Sequence, residues 1–305
     1  MKPHFKGPVL WATISALIGN SIFGFSFMFS RIALSAATPF VMLAWRFIAA
    51  FAFINALCLY SRRKNLDGWL RFRIPWRKSL PLFLMGIIQP VVYFLCESYG
   101  IALTNATVSG VIIAICPIVA LALGFLFMRE TPSVKQIAFS VLSIAGVIVM
   151  TLQQSSDGDI RFLGVILLIG AVTSGASYNI LTRRLSTQYS ALERTYVMML
   201  VAAVSFTGLA IFENLHNLRS IFSPVSNASF LFSILYLSLL SSILAFLLIN
   251  HASTVLTVSK TTAFCNLTTV LSVFAGVVFL GESITVISLI AAAVIIFGVF
   301  GVQRT

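Results

Sequence analysis

Four ionisable side chains stand where such side chains are scarce. Arg46, Glu97, His251 and Lys260 fall inside, or at the edge of, long apolar runs. A charge is costly in hydrocarbon, so each is expected to face a bundle interior or water. Arg46 stands seven residues past Pro39, and Glu97 stands six residues before the end of its run at 103. At the helical rise those positions lie about 10 Å and about 9 Å in from the same membrane face. The matched depths allow an Arg46–Glu97 pair, each member lowering the other's burial cost. Three roles stay open for it: a structural ion pair, substrate binding and proton coupling. Paired with Arg46, Glu97 stays charged; alone in an apolar cavity it could carry a proton. Lys260 is three residues into its run and His251 closes another, so both can reach water at the opposite face. Lys260 is either a headgroup contact or a cavity residue, and His251 reads as an interfacial histidine.

Uncharged polar groups mark the same runs. Asn20, Gln89, Tyr93, Tyr178, Asn179, Tyr236 and Asn250 interrupt otherwise apolar sequence. Each either bonds a neighbouring helix or lines a cavity, and spacing does not separate the two. In Gln89-Pro90, and again at Pro117, proline frees a carbonyl in mid-run; transporters place such breaks at substrate sites. Glu130-Thr131-Pro132-Ser133 and Glu282-Ser283 read as helix starts, with the carboxylates capping the next run.

Catalytic and metal chemistry find no residues to use. The three histidines are His4, His216 and His251, and there is no His-Glu-x-x-His, Gly-x-Ser-x-Gly or phosphate-binding Gly-x-x-x-x-Gly-Lys-Ser/Thr. The expectation is therefore no enzyme, no primary pump, no metal and no cofactor. Cys58, Cys96, Cys116 and Cys265 all fall within apolar runs, without Cys-x-x-Cys, and are expected as buried thiols.

The elements that must position these residues are membrane helices. Of 305 residues, 59% are hydrophobic and 9% charged, with a mean hydropathy of +1.02. So little polar surface cannot cover a soluble protein of this length. Ten apolar runs are read at 8–33, 38–60, 80–103, 105–128, 133–152, 162–182, 190–213, 228–250, 257–280 and 284–302. Each is long enough to cross about 30 Å of hydrocarbon as a helix. Continuous rather than alternating apolarity argues against a β-barrel. The first run follows Lys2 and Lys6 but is too long for a signal-peptide core.

The net charge of +12 belongs to the loops. Fourteen Lys and Arg fall on the side of the N-terminus, or fifteen with Arg194 near the start of its span, against Arg31, Arg161 and Arg219 on the other. By the positive-inside rule both termini are cytoplasmic. Segment 61–79 holds seven of the basic residues beside Trp69 and Trp76, and reads as a topology determinant lying on anionic headgroups.

The two halves repeat. Gly19-Asn20-Ser21-Ile22-Phe23-Gly24 answers to Gly170-Ala171-Val172-Thr173-Ser174-Gly175. Thr107-Val108-Ser109 answers to Thr257-Val258-Ser259, and Arg129-Glu130 to Gly281-Glu282, at offsets of 150 to 152. With five spans each, the second copy must enter the membrane upside down, a plan common in secondary transporters. The expected class is an all-α membrane protein of two inverted five-helix repeats, 1–152 and 153–305.

Several stretches carry a resemblance to a known family. They are NSIFGFSFMFSRIAL, PFVMLAWRF, ESYGIALTNATVSGVIIAICPIVALALGFLFMRE and, in the second half, KTTAFCNLTTVLSVFAGVVFLGE. With these the chain resembles the drug/metabolite transporter superfamily of EamA type, over nearly its whole length. It departs from the family pattern at Thr269, where a proline is usual. The resemblance implies ten helices and alternating-access transport of small organic metabolites, such as amino acids or drugs, across a bacterial inner membrane, by export or exchange. It names no substrate and no energy source; proton coupling and uncoupled flow both fit. The competing reading is a non-transporting receptor or assembly partner, against which stand the short loops. The expected partners are a small molecule and the bilayer, with no nucleic acid.

Overall fold

A computed structural model describes residues 6–74, 79–128, 133–155, 161–256, 264–282 and 284–304. The described residues are helical apart from turns and short connections, with no strand among them. We number the helical rods in chain order: α1 Lys6–Leu34, α2 Pro39–Lys64, α3 Leu80–Leu103, α4 Ala106–Ile113 continued by Cys116–Met128, α5 Val134–Ser155, α6 Phe162–Leu185, α7 Ala191–Glu213, α8 Ala228–Val255, α9 Cys265–Leu280 and α10 Val286–Arg304. Seven of these described rods are long and apolar enough to cross a membrane, namely α1 to α4 and α6 to α8; the other three carry shorter apolar stretches.

Local chemistry explains several ends. Thr38 accepts the amide of Val41, and Pro39 opens α2 where no amide partner is needed. Asn65 stops the same helix in the left-handed conformation. At α7, Ser190 and Glu193 form a reciprocal capping box.

Interior helices are widened or broken at mid-length. The winding of α3 opens over Ile87–Val92, where Gln89 leaves helical geometry at φ −140°, ψ 120°. That of α8 opens over Tyr236–Ala245. Between its two parts α4 turns at Ala114 and Ile115, just before Pro117. Carbonyls freed by such breaks need other partners. One is supplied at α3, where Ser174 of α6 donates to the Ile88 carbonyl.

Packing follows a pattern. α1 lies against α8 and α9; α6 lies against α3 and α4. α2 packs on α8, and α7 packs on α3. α2 and α7 pair with each other, as do α4 with α9 and α5 with α10. Exchanging each helix for the one five places along leaves this set of pairings unchanged. The outward faces are apolar, for example Ile137, Val141 and Ile148 on α5 and Ile290, Phe297 and Phe300 on α10.

The basic segment after α2 is strapped to the bundle as well as charged. Buried Glu193 accepts the amide of Arg73 at 2.6 Å and pairs with Arg71 at 3.6 Å. Trp69 packs against His251 with ring centroids 5.0 Å apart. Positions 75–78 of this segment, including Trp76, lie outside the described residues.

Candidate functional site

A cavity of about 90 Å³ lies in the middle of the bundle, among α1, α3, α4, α6, α8 and α9. Aromatic rings from Phe23, Phe27, Tyr93, Phe94, Tyr178 and Phe246 form much of its wall. Asn20, Gln89, Glu97, Asn179, Ser241 and Thr268 supply the polar groups. The widened turns of α3 and α8 contribute Gln89 and Ser241, and the break in α4 sets Ile113 and Cys116 on the wall. The space holds several waters but falls short of the ~300 Å³ that drug-sized ligands occupy.

Glu97 carries the charge on this wall. It is 6% exposed, and Tyr93, one turn earlier, donates to its Oε1 at 3.0 Å. Gln89 Oε1 is buried with no hydrogen-bond partner. An orphaned acceptor beside a cavity is a place for a guest's N–H, because an unmade buried bond costs its full desolvation.

The expected direct pair between Arg46 and Glu97 is not formed. Arg46 is fully buried one layer behind the wall, close enough for its charge to act on Glu97. Its Nε donates to Ser242 at 2.8 Å and its Nη2 to Ser241 at 2.9 Å, while Nη1 has no partner. The guanidinium lies 4.1 Å from the Phe94 ring centre. The wide turn of α8 brings two serine hydroxyls to Arg46, and these take the place of the carboxylate. Among the described residues Arg71–Glu193 is the one ion pair within 4.0 Å.

Asn20 is tied down: it donates to the Ala16 carbonyl at 2.8 Å and accepts from Thr268 at 3.2 Å, holding α1 to α9. Asn179 is half-buried, with its amide 3.9 Å from Cys116 Sγ. Tyr178 reaches from the cavity into a second polar layer, donating to Asn250 Oδ1 at 3.0 Å. Asn250 is off the wall and also binds Thr195 and Thr182.

Arg194, which sequence position set near the start of its span, is the centre of that layer. It is fully buried and donates to the carbonyls of Thr182, Asn250 and Ser190, tying α6, α7 and α8. His251 is half-buried against Trp69, and its Nδ1 is buried without a hydrogen-bond partner. Lys260 and Glu130 lie outside the described residues.

Two end contacts recur across the halves. Arg31 donates to the Ile101 carbonyl at 3.1 Å and more weakly to Ala102 at 3.5 Å; Arg183 donates to Ser253 at 2.8 Å and Thr254 at 2.9 Å. Each of these three positions is shifted by 152 from its counterpart. Glu282 does not cap the helix that follows it. It reaches into the first half and accepts the amides of Ala106 and Thr107. The free amides it satisfies belong to α4, which starts beside it in space. Among the described residues no group of three or more His, Cys, Asp or Glu is placed to hold a metal ion.

The pattern of the EamA-like transporter family matches this chain twice, at residues 10–152 and 162–304. The chain belongs to the EamA-like transporter family. It is similar to the uncharacterized transporter YcxC of Bacillus subtilis (strain 168), 29% identical over 99% of this chain and 94% of that one. It is 28% identical to a probable terminal-alkyne amino-acid exporter of Streptantibioticus cattleyicolor, over 78% of this chain and 77% of that one. A solved crystal structure superposes with a TM-score of 0.66 at 16% identity, covering 95% of each chain, which shows a shared fold. This is a multi-pass membrane protein of a transporter family.

Proposed function

We propose that this chain is a secondary transporter that moves small organic metabolites, amino acids or related amines among them, across the inner membrane by alternating access, as an exporter or exchanger. The observation that carries the reading is the central cavity, where one carboxylate and one orphaned amide oxygen face a wall of aromatic rings. Glu97 and Gln89 Oε1 take the N–H groups of an amine, and the rings take its apolar body and the face of its cation. The Streptantibioticus relative's name, as a probable terminal-alkyne amino-acid exporter, supports both the amino compound and the outward direction.

The architecture we infer is ten membrane-spanning helices in two inverted repeats, 1–152 and 153–305. It is supported by the five-place exchange of helix pairings, the two arginine contacts shifted by 152, and the double family match. Repeats of five helices oppose one another in the membrane and give one central site two similar closures. The basic-residue asymmetry supports a cytoplasmic side for both termini. Glu97, with Tyr93 as its hydrogen-bond partner, is the group we assign to proton coupling, should flux follow a proton gradient.

Counterflow in proteoliposomes tests this reading. Vesicles preloaded with members of an amino-acid and amine panel are expected to accumulate labelled substrate in a protein-dependent way, and an imposed pH gradient reports coupling. Absence of counterflow for the entire panel, with correctly inserted protein, would contradict it.

A further inference from the structure

The Glu282 contact is a feature that the cavity chemistry leaves unused. Glu282 Oε1 accepts the Ala106 amide at 2.9 Å, and Oε2 accepts the Thr107 amide at 2.9 Å. One carboxylate thus closes both free amides at the start of α4, from the far end of α9. Its own position is fixed: Gly281 ends α9 at φ +64°, and the Glu282 amide returns to the Gly276 carbonyl at 3.0 Å.

The contact continues inward as a close-packed seam. A methyl group on Gly276 would sit 2.4 Å from Thr107 Oγ1 and 2.5 Å from Glu282 Oε2. One on Gly110 would sit 1.6 Å from Ser272 Oγ. Thr269 donates to the Gly110 carbonyl at 3.0 Å. Directly inside the seam lie Ile113 and Thr268, which are cavity wall. Outside it lies a polar vestibule of about 530 Å³ lined by Arg31, Asn105, Asn227 and Glu282. The α4–α9 seam therefore stands between the central cavity and the vestibule, and Glu282 fastens its outer end.

We propose that Glu282 is the latch of the outer mouth: a positioning residue whose release from the Ala106 and Thr107 amides opens the central cavity to the vestibule. The proposal rests on the transporter reading for its meaning, but its test needs no substrate. A carboxylate suits the task because it binds two amides at once and finds replacement partners in the wet vestibule when it lets go.

Cys116, on the cavity wall, is a native reporter. In a chain with Cys58, Cys96 and Cys265 replaced by serine, a membrane-impermeant maleimide is added to right-side-out and to inverted membrane vesicles. Glu282→Gln keeps the size but sets an NH2 against one of the amides. Gly276→Ala leaves the carboxylate intact and wedges it away. Both are expected to raise Cys116 labelling from the vestibule face about fivefold to tenfold, the shift given by losing one net hydrogen bond. Labelling from the opposite face stays level or falls. An unchanged rate, or an equal rise from both faces, would overturn the latch. The transporter reading can fail separately, through absent counterflow by a chain whose Cys116 labelling still answers to Glu282.

Discussion

Tyr93 holds Glu97 by a hydrogen bond along one helix face, and the nearest cation is turned away toward two serines. The carboxylate is thus available to a guest. Glu97→Gln preserves the cavity's shape and removes its charge; transport is expected to fall about tenfold or more, the value of one charge-assisted hydrogen bond. Initial rates at equal membrane levels check this, and a variant with the original rate and pH profile would sink the role given to Glu97. Arg194 belongs to the fold instead. Arg194→Met strips partners from the Thr182 and Asn250 carbonyls and should cost about 1–3 kcal/mol for a buried acceptor left alone. A lowered melting temperature in detergent is the readout. That Asn20, Gln89, Tyr93, Glu97, Tyr178 and Asn179 face inward was legible because a polar group in an apolar span has only the interior to face; which of the polar residues line the cavity was not, and Tyr236 and Asn250 are off its wall. Arg46's partners were not legible: serine is common in these spans, and nothing in the residues 236–245 announces a widened turn.

Among the helices, contact distance is set by small residues. Gly110 of α4 meets Ser272 of α9 with no room for a methyl group. Gly110→Ala should therefore push the two helices apart and destabilise the bundle by about 1–3 kcal/mol, as overpacking does. Adding Ser272→Gly vacates the space and should restore the melting temperature; no recovery in the double variant would show that the seam is not what Gly110 serves. The breaks at Gln89-Pro90 and before Pro117 could be anticipated from proline's missing N–H. Glu282's partner could not. Sequence shows a carboxylate before a new run and favours the nearest helix start, whereas the start that it caps comes from the other half of the chain and is adjacent only after folding.

For the whole molecule, one cavity sits at the centre of helix pairings that survive a five-place exchange. The repeat we propose rests in sequence on three short matches near an offset of 151; which helices touch was not legible there, because pairing depends on lateral packing that apolar runs all permit. The sidedness we propose rests on charge. Cysteines placed at Lys64 and at Asn217 should react with an impermeant reagent from opposite faces, Lys64 from the cytoplasmic one; labelling of both from a single face would refute the topology. The central claim is that one site opens to each side in turn. Asn179→Cys, on the cavity wall in an otherwise cysteine-free chain, tests it most directly. The account predicts that impermeant maleimide reaches this position in right-side-out vesicles and also in inverted ones, with Glu282→Gln raising the rate from the vestibule face and not from the other. Reaction from one face alone, whatever the variant, would contradict it.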